Sequence, residues 1–349
     1  MAKLSRFITG LAKTGLAKTE LARTGLVAAV LAVMSFGQVS GASASEQSFD
    51  DWLLELRAEA ADKGISAATL DAALTGIKPI PRVIELDRKQ PEFTLTFDEY
   101  LDRVVPQSRK NRAKARFEKH KDLLEEIGEK YGVQPRFVVA LWGIETDFGR
   151  VLGGFDVVPA LASLAYDGRR SAYFRKELHH ALRIIEEGHV SADNMKGSWA
   201  GAMGQSQFMP SSFNQYAQDY DGDGRQDIWG TQADVFASAS NYLKRAGWRN
   251  DLTWGRKVTL PESGAASRAN AMELHDSKTW KGLNEWAELG ITREDGTALP
   301  TRNIQARLVM PGGVDGPSYL VYKNFESILR WNRSNYFAIA VGTLADSMR

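Results

Sequence analysis

The sequence predicts a mainly α protein of the α+β class, with a helical body over residues 45–255, a small β-containing lobe over 256–322 and a closing helix over 323–349. Three observations predict it. Apolar residues recur three and four apart through most of Phe49 to Val258, the signature of helices that bury one face. From Arg256 to about Tyr322 the texture changes to short β-prone pieces separated by Pro, Gly and Ser. The 349 residues contain no cysteine, so the fold must rest on a buried core, which a chain of this length can form without disulfides.

The first 44 residues stand apart. They hold five basic side chains (Lys3, Arg6, Lys13, Lys18 and Arg23) and one acid, Glu20, and they lead into the apolar run "GLVAAVLAVMSF" and the small-residue stretch "GASA". That order reads as a secretory signal cut after Ala44, because the run is too short to span a bilayer comfortably. An uncleaved anchor is the alternative. Removing the segment leaves 39 basic against 42 acidic residues, so the formal charge of +1 falls to −3 and no basic surface points to nucleic acid. No cysteine is available for lipid attachment, so the expected product is an exported periplasmic protein with no stable membrane anchor after cleavage.

The helical elements follow in order as "FDDWLLELRAEAADKG", "RAKARFEKHKDLLEEIGEKYG", "PRFVVALWGIETDFG", "YFRKELHHALRIIEEG" and "ADVFASASNYLKRAGW", several closing on glycine. The lobe is signalled by "KVTL", "ARLVM" and "SYLVY", with a helical piece near "WKGLNEWAELG". The last segment, "NFESILRWNRSNYFAIAVGTLADSM", has the spacing to pack back on the helical body, and no further wall-binding module is expected after Arg349.

One carboxylate is out of place. If Pro135 opens a helix, Val138, Leu141, Glu145 and Phe148 share a stripe at steps of three and four, so Glu145 falls where a core residue belongs. Burial disfavours the charged form of a carboxyl group, the property a general acid needs near neutrality. Asp147 is two residues on, and a continuing helix turns it roughly 200° away. The alternative is a structural glutamate paired with an arginine. The stretch "GSWAGAMGQSQFMPSSF", residues 197–213, adds Gly197, Gly201 and Gly204, which permit close approach to the backbone, and Ser198, Gln205 and Gln207, which offer hydrogen-bonding groups suited to a polyhydroxylated ligand. It has no phosphate-loop lysine. A tight helix crossing would also require glycine.

In this order "VALWGIETDFG", "LASLAYDGRR", "GSWAGAMGQSQFMPSSF", "DYDGDGRQDIW" and "NYLKRAGW" closely resemble the family B lytic murein transglycosylases, over nearly the whole chain beyond the signal. The resemblance implies a lysozyme-like helical catalytic domain with a helical extension, acting on the glycan strands of peptidoglycan. It places the catalytic motif on Glu145 and implies cleavage between N-acetylmuramic acid and N-acetylglucosamine that leaves a 1,6-anhydromuramic end. Such chemistry needs no second carboxylate, unlike ordinary glycosidase action. Residue by residue, it puts Ser198 and Asn332 against the reacting muramyl unit and Gln207 and Tyr242 along the sugar subsites, with Tyr100 in "FDEYLDR" as a further groove tyrosine. The sequence departs at Trp331, where the family pattern has tyrosine beside that asparagine. Stacking on a sugar survives this change, whereas a hydroxyl hydrogen bond does not.

"DYDGDGRQDIW" places Asp219, Asp221 and Asp223 at alternate positions before Gly224, the opening of an EF-hand calcium loop, with Arg225 offering a backbone carbonyl. Position 12, where glutamate belongs, is Gly230. The resemblance implies an expanded loop over 219–234 closed by Asp234, holding a structural Ca2+ that takes no part in chemistry, and no other cofactor. An unmetallated Asp-Gly turn is the alternative. Arg169 and Arg170 face either stem-peptide carboxylates or exposed acids on the surface, and the five histidines show no zinc spacing. The resulting expectation is a monomeric lytic transglycosylase. Its rivals are a hydrolytic muramidase and a silent peptidoglycan-binding or calcium-binding scaffold.

Overall fold

A computed structural model describes residues 47–89 and 95–349, so the signal segment and the cleavage site after Ala44 lie outside the described residues. The chain opens with α1 (Phe49–Asp62), α2 (Ala67–Leu74), α3 (Pro81–Arg88) and α4 (Phe97–Val104). Ser48, Ser66 and Thr96 cap α1, α2 and α4 by accepting a backbone N–H two or three residues into the helix, and Glu99 completes a capping box with Thr96. Then come α5 (Gln107–Lys119), α6 (Lys121–Tyr131) and α7 (Pro135–Thr146). The helix expected to run unbroken through residue 120 is two helices. His120 leaves helical geometry there, and its ring lies edge-on to Trp142 and Phe236.

Beyond α7 follow β1 (Phe155–Asp156), α8 (Val157–Tyr166), α9 (Ser171–Glu186), β2 (Lys196–Gly197), α10 (Pro210–Tyr216) and α11 (Gln232–Arg245). Helix α7 is the axis of the body: Phe137 to Ile144 are all buried, and α5, α6, α11 and the last helix pack around it. A helix apolar on every side is one enclosed by others.

The lobe contains β3 (Gly255–Thr259), α12 (Ala271–Asp276), β4 (Lys281–Gly282), α13 (Leu283–Glu288), β5 (Thr292–Arg293), β6 (Gln305–Val309) and β7 (Ser318–Val321). Its five strands lie in the order β4-β6-β7-β3-β5, each pair antiparallel, with Leu320 opposite both Arg256 and Leu308. It buries its own core around Trp286, Leu308, Leu320 and Tyr322.

The chain returns to the body as α14 (Lys323–Trp331) and α15 (Asn335–Asp346), two helices in place of the single one expected. The break at Asn332–Ser334 lets Ser334 cap α15 through the Phe337 N–H. Helix α15 lies against α7, and Gly342 permits the approach of Trp254 at the start of the lobe, because a Cβ there would sit 2.2 Å from the indole.

Candidate active site

Glu145 occupies the last turn of α7, below a stripe in which Val138 and Leu141 are buried. Glu145 itself is half-buried, so the expectation of a buried carboxyl holds only in part: it sits where the core meets solvent. The helix stops one residue later, because Asp147 and Phe148 take left-handed backbone angles (φ 50° and 62°) ahead of Gly149. Phe148 therefore leaves the helical stripe and folds back beneath Gly143, whose Cβ, were it present, would lie 2.7 Å from the ring. Two consecutive non-glycine residues in this region cost on the order of 1–3 kcal/mol each and persist only where the surroundings impose them. Thr146 helps impose them: its hydroxyl accepts the Gly149 N–H and donates to the Gln205 carbonyl at 3.0 Å.

The turn also removes Asp147 from contention as a second acid. Its Oδ1 lies 2.9 Å from Arg112 Nη2 and 3.6 Å from Arg109 Nε, and its Oδ2 lies 3.1 Å from Arg150 Nη1. The sequence reading turned Asp147 away by helix rotation; the structure does so by ending the helix and surrounding the carboxylate with three guanidinium groups.

Trp331 closes the other side. Its indole N–H donates to Glu145 Oε1 at 2.9 Å, and its ring is only 1% exposed, packed between Tyr242 at 4.7 Å and Phe208 at 5.2 Å. It therefore cannot stack on a sugar, and the expected stacking role is corrected: the tryptophan supplies a donor to the glutamate through a different group from the tyrosine hydroxyl. Tyr242 is corrected likewise. It is buried, and its hydroxyl donates to the Arg330 carbonyl at 2.7 Å, so it braces α14 rather than lining an open subsite. Asn332, the C-cap of α14, is buried beside Trp331.

Tyr100 does face the site. Burial pushes its hydroxyl far above the usual tyrosine range, and the charge of Glu145 adds to the effect. Its ring packs on Tyr336, which in turn meets Phe97 edge-on, so α15 braces the tyrosine that α4 brings towards the glutamate. Tyr336 was not anticipated; its one signal in the sequence is an aromatic two residues after the cap at Ser334.

The glycine-rich stretch packs against the end of α7 and against Trp331, through the Gln205 carbonyl and the Phe208 ring. Gly197 pairs with Phe155 and bridges to Met203, which bridges to Phe208. Gly153 is essential here, since a Cβ would fall 2.0 Å from the Gly197 carbonyl oxygen. Ser198 is half-buried and accepts the Ala202 N–H at 3.0 Å, which leaves its own proton for a ligand. Gln207 is buried, corrected from an open subsite residue. Its Nε2 donates to the Leu152 and Gly204 carbonyls, and its Oε1 finds no hydrogen-bond partner among the described residues. Gln205 is engaged throughout, accepting from Trp142 and Gln232 and donating to Trp229.

In the aspartate loop, carboxylate oxygens of Asp219, Asp221 and Asp223 lie within 4.8 Å of one another, all exposed. Asp219 accepts the Gly222 and Gly224 N–H groups, shaping the turn, while the Arg225 side chain pairs with Asp223. Asp234 stands outside the trio. It is fully buried, its carboxyl is pushed up by that burial, and its two oxygens accept the Tyr220 and Asp227 N–H groups at 2.7 Å each. It fastens the two ends of the loop and lies outside the cluster of three exposed carboxylates. Three clustered carboxylates and the Arg225 carbonyl still form a donor set of the hard oxygen type that calcium takes, with the remaining positions open to water. Arg169 and Arg170 both pair with Asp87, a buried acid and not the exposed one expected of a surface pair.

The sequence pattern of the Transglycosylase SLT domain family matches residues 48–346. Membrane-bound lytic murein transglycosylase B of Escherichia coli (strain K12) is 34% identical over 230 residues, which are 66% of this chain and 61% of that relative's length. The chain thus spans less than two thirds of the curated relative it matches. Among solved structures, SltB3 from Pseudomonas aeruginosa in complex with NAG-anhNAM-pentapeptide is 43% identical with a TM-score of 0.83, over 86% of this chain and 80% of that one. The Escherichia coli lytic transglycosylase Slt35 in complex with calcium is 28% identical with a TM-score of 0.71, over 85% and 92%.

Proposed function

We infer from the Transglycosylase SLT domain family, to which this chain belongs over residues 48–346, that it is a lytic transglycosylase of peptidoglycan. The reaction cleaves the β-1,4 bond between N-acetylmuramic acid and N-acetylglucosamine without water. Glu145 gives its proton to the departing glycosidic oxygen as the C1–O bond breaks, assisted by the substrate's own acetamido group. The C6 hydroxyl of the same muramyl unit then attacks C1, and the Glu145 carboxylate takes the hydroxyl proton, so the enzyme returns to its starting state and the product carries a 1,6-anhydro ring. The observation that carries this reading is a half-buried carboxyl, Glu145, whose Oε1 accepts the Trp331 N–H, while the neighbouring acid Asp147 is enclosed by three arginines. In this reading the Ser198 hydroxyl and Tyr100 orient the muramyl unit and stabilise developing charge.

A calcium ion held by Asp219, Asp221, Asp223 and the Arg225 carbonyl would stiffen the loop, which Asp234 already ties off, and would supply no chemistry. No described helix is long and apolar enough to cross a membrane, and the basic-apolar start of the chain fits export to the periplasm, where peptidoglycan lies. The test is product analysis. Purified sacculi incubated with the protein should yield anhydromuramyl ends by mass spectrometry, and Glu145→Gln should lower turnover by about 10²–10⁴-fold, the usual contribution of a positioned acid/base. Reducing ends in place of anhydro ends would refute the reading in favour of hydrolysis.

A further inference from the structure

A second concavity lies away from Glu145, at the seam between the helical body and the β-lobe. It is an open depression of about 500 Å³, within the size range of small-molecule sites, with Leu252 and Ile304 buried at its base and the other lining residues exposed. Three cations reach its rim: Arg249 from the segment after α11, Arg302 from the segment before β6, and Lys323 at the start of α14. One acid answers them, Asp251, and it is engaged by Arg249 through both oxygens at 3.1 and 2.8 Å. Positive charge is therefore in surplus. The Lys323 ammonium sits 3.6 Å above the Trp280 ring, which holds it at the rim. The frame is rigid, because the buried Asn324 side chain accepts the Arg249 N–H and donates to the Arg249 and Leu252 carbonyls, fixing one wall to α14. The primary amides of Asn303 and Gln305 complete the lining, each able to donate and accept.

We propose that this pocket binds the carboxylate end of a peptidoglycan stem peptide. The assignment rests on the reading of peptidoglycan as substrate. Surplus guanidinium and ammonium groups select a carboxylate, and paired amides suit a peptide backbone better than a bare inorganic ion. Distance agrees. Lys323 and Trp331 are the two ends of α14, eight residues apart, so the pocket lies about 12 Å along the helix from the side chain that holds Glu145. An extended pentapeptide spans about 17 Å. A stem peptide borne by a muramyl unit at the active site is long enough to reach it.

The experiment uses the full chain with its tryptophan indoles labelled with nitrogen-15, the Trp280 signal being assigned with Trp280→Phe. A synthetic stem pentapeptide should move that signal saturably, and its C-terminal amide should bind more weakly. The exposed-site double variant Arg302→Glu/Lys323→Glu should bind at least about ten-fold more weakly, having lost two charge-assisted contacts, and should keep wild-type turnover of peptide-free glycan strands. No saturable shift, equal binding by the double variant, or displacement of the peptide by an equal concentration of inorganic phosphate would each overturn the proposal. Binding of the free peptide does not depend on turnover, so a wild-type protein that binds it yet yields no anhydro ends would sink the enzymatic reading and leave the pocket standing.

Discussion

Trp331→Phe isolates the contact on which the geometry of the site depends. The substitution keeps an aromatic ring against Tyr242 and Phe208 and removes the indole donor to Glu145 Oε1. A hydrogen bond to a charged group is worth about 1.5–3 kcal/mol. If all of that serves to hold the carboxyl in its reacting orientation, its loss raises the barrier by the same amount, and at about 1.4 kcal/mol per factor of ten kcat falls roughly 10- to 150-fold. KM should change little, since the indole is 1% exposed and cannot touch the glycan. The smaller ring also leaves a cavity, which should cost about 1–2 kcal/mol of stability, a fraction of a full truncation to alanine. The two effects are separable: kinetics on a defined muropeptide oligomer reads the first and urea unfolding the second. Trp331→Tyr, which restores a donor of the kind the family pattern carries, should recover most of the rate. A folded Trp331→Phe protein with wild-type kcat would refute the argument that this bond positions the acid.

Three further outcomes follow from the same structure. Asp147→Asn leaves three arginines facing a neutral amide, and because the carboxylate is partly exposed the cost should be about 1–3 kcal/mol, below that of a fully buried pair, with anhydro products retained; loss of all turnover in a folded variant would make Asp147 part of the chemistry. Calcium at 10 mM should stabilise the protein by about 1.4 kcal/mol if its loop binds at the weak, millimolar end of such sites, a rise of about 2 °C in Tm that Asp219→Ala/Asp221→Ala abolishes; an unchanged wild-type Tm would remove the ion from the account. Burial between Trp142 and Phe236 pushes the His120 imidazole below its usual 6.5, with Lys119 and Arg116 adding to the effect, and His179 shifts in the same sense. Below pH 6.5 the unfolded chain takes up protons that the folded one refuses, so stability present above that pH is lost as it falls towards the folded value. His120→Gln should flatten part of that slope in unfolding free energy measured from pH 7.5 to 5.5, and an unaltered slope would show that the ring does not titrate on unfolding.

The residues that were legible in the sequence are those whose role follows from local order. Pro135 at a helix start and an apolar stripe below it place Glu145 without knowledge of the rest of the fold. The alternation Asp219, Asp221, Asp223 before Gly224 reads as a turn that gathers carboxylates, because the backbone of one short segment brings them together. What was misread depends on where a distant segment arrives. Tyr242 and Trp331 carry groove chemistry in their types, yet they meet each other ring to ring, and no spacing rule relates α11 to α14. Asp234 has the charge of a ligand, and its burial against the Tyr220 and Asp227 amides is set by how the loop closes and not by its spacing in the sequence.

The break at Asn332–Ser334 shows why this matters for catalysis. Had residues 323–349 formed one helix, as their periodicity predicts, the chain would have continued in a single direction past Trp331. The actual break ends α14 at Trp331, with the indole meeting Oε1 of Glu145 from one side, and starts α15 under a serine cap that brings Tyr336 to Tyr100 on another. The acid is thus oriented by a helix break whose local signal is the single Ser334 cap. The consequence is specific: replacing Ser334 by alanine should cost about 1 kcal/mol in stability, the worth of one cap, while a helix-favouring replacement of Asn332–Ser334 by three alanines should lower kcat more than stability, because it biases the chain towards the continuous helix that the site excludes. Equal losses in both would mean that the break only supports the fold and does not aim the glutamate.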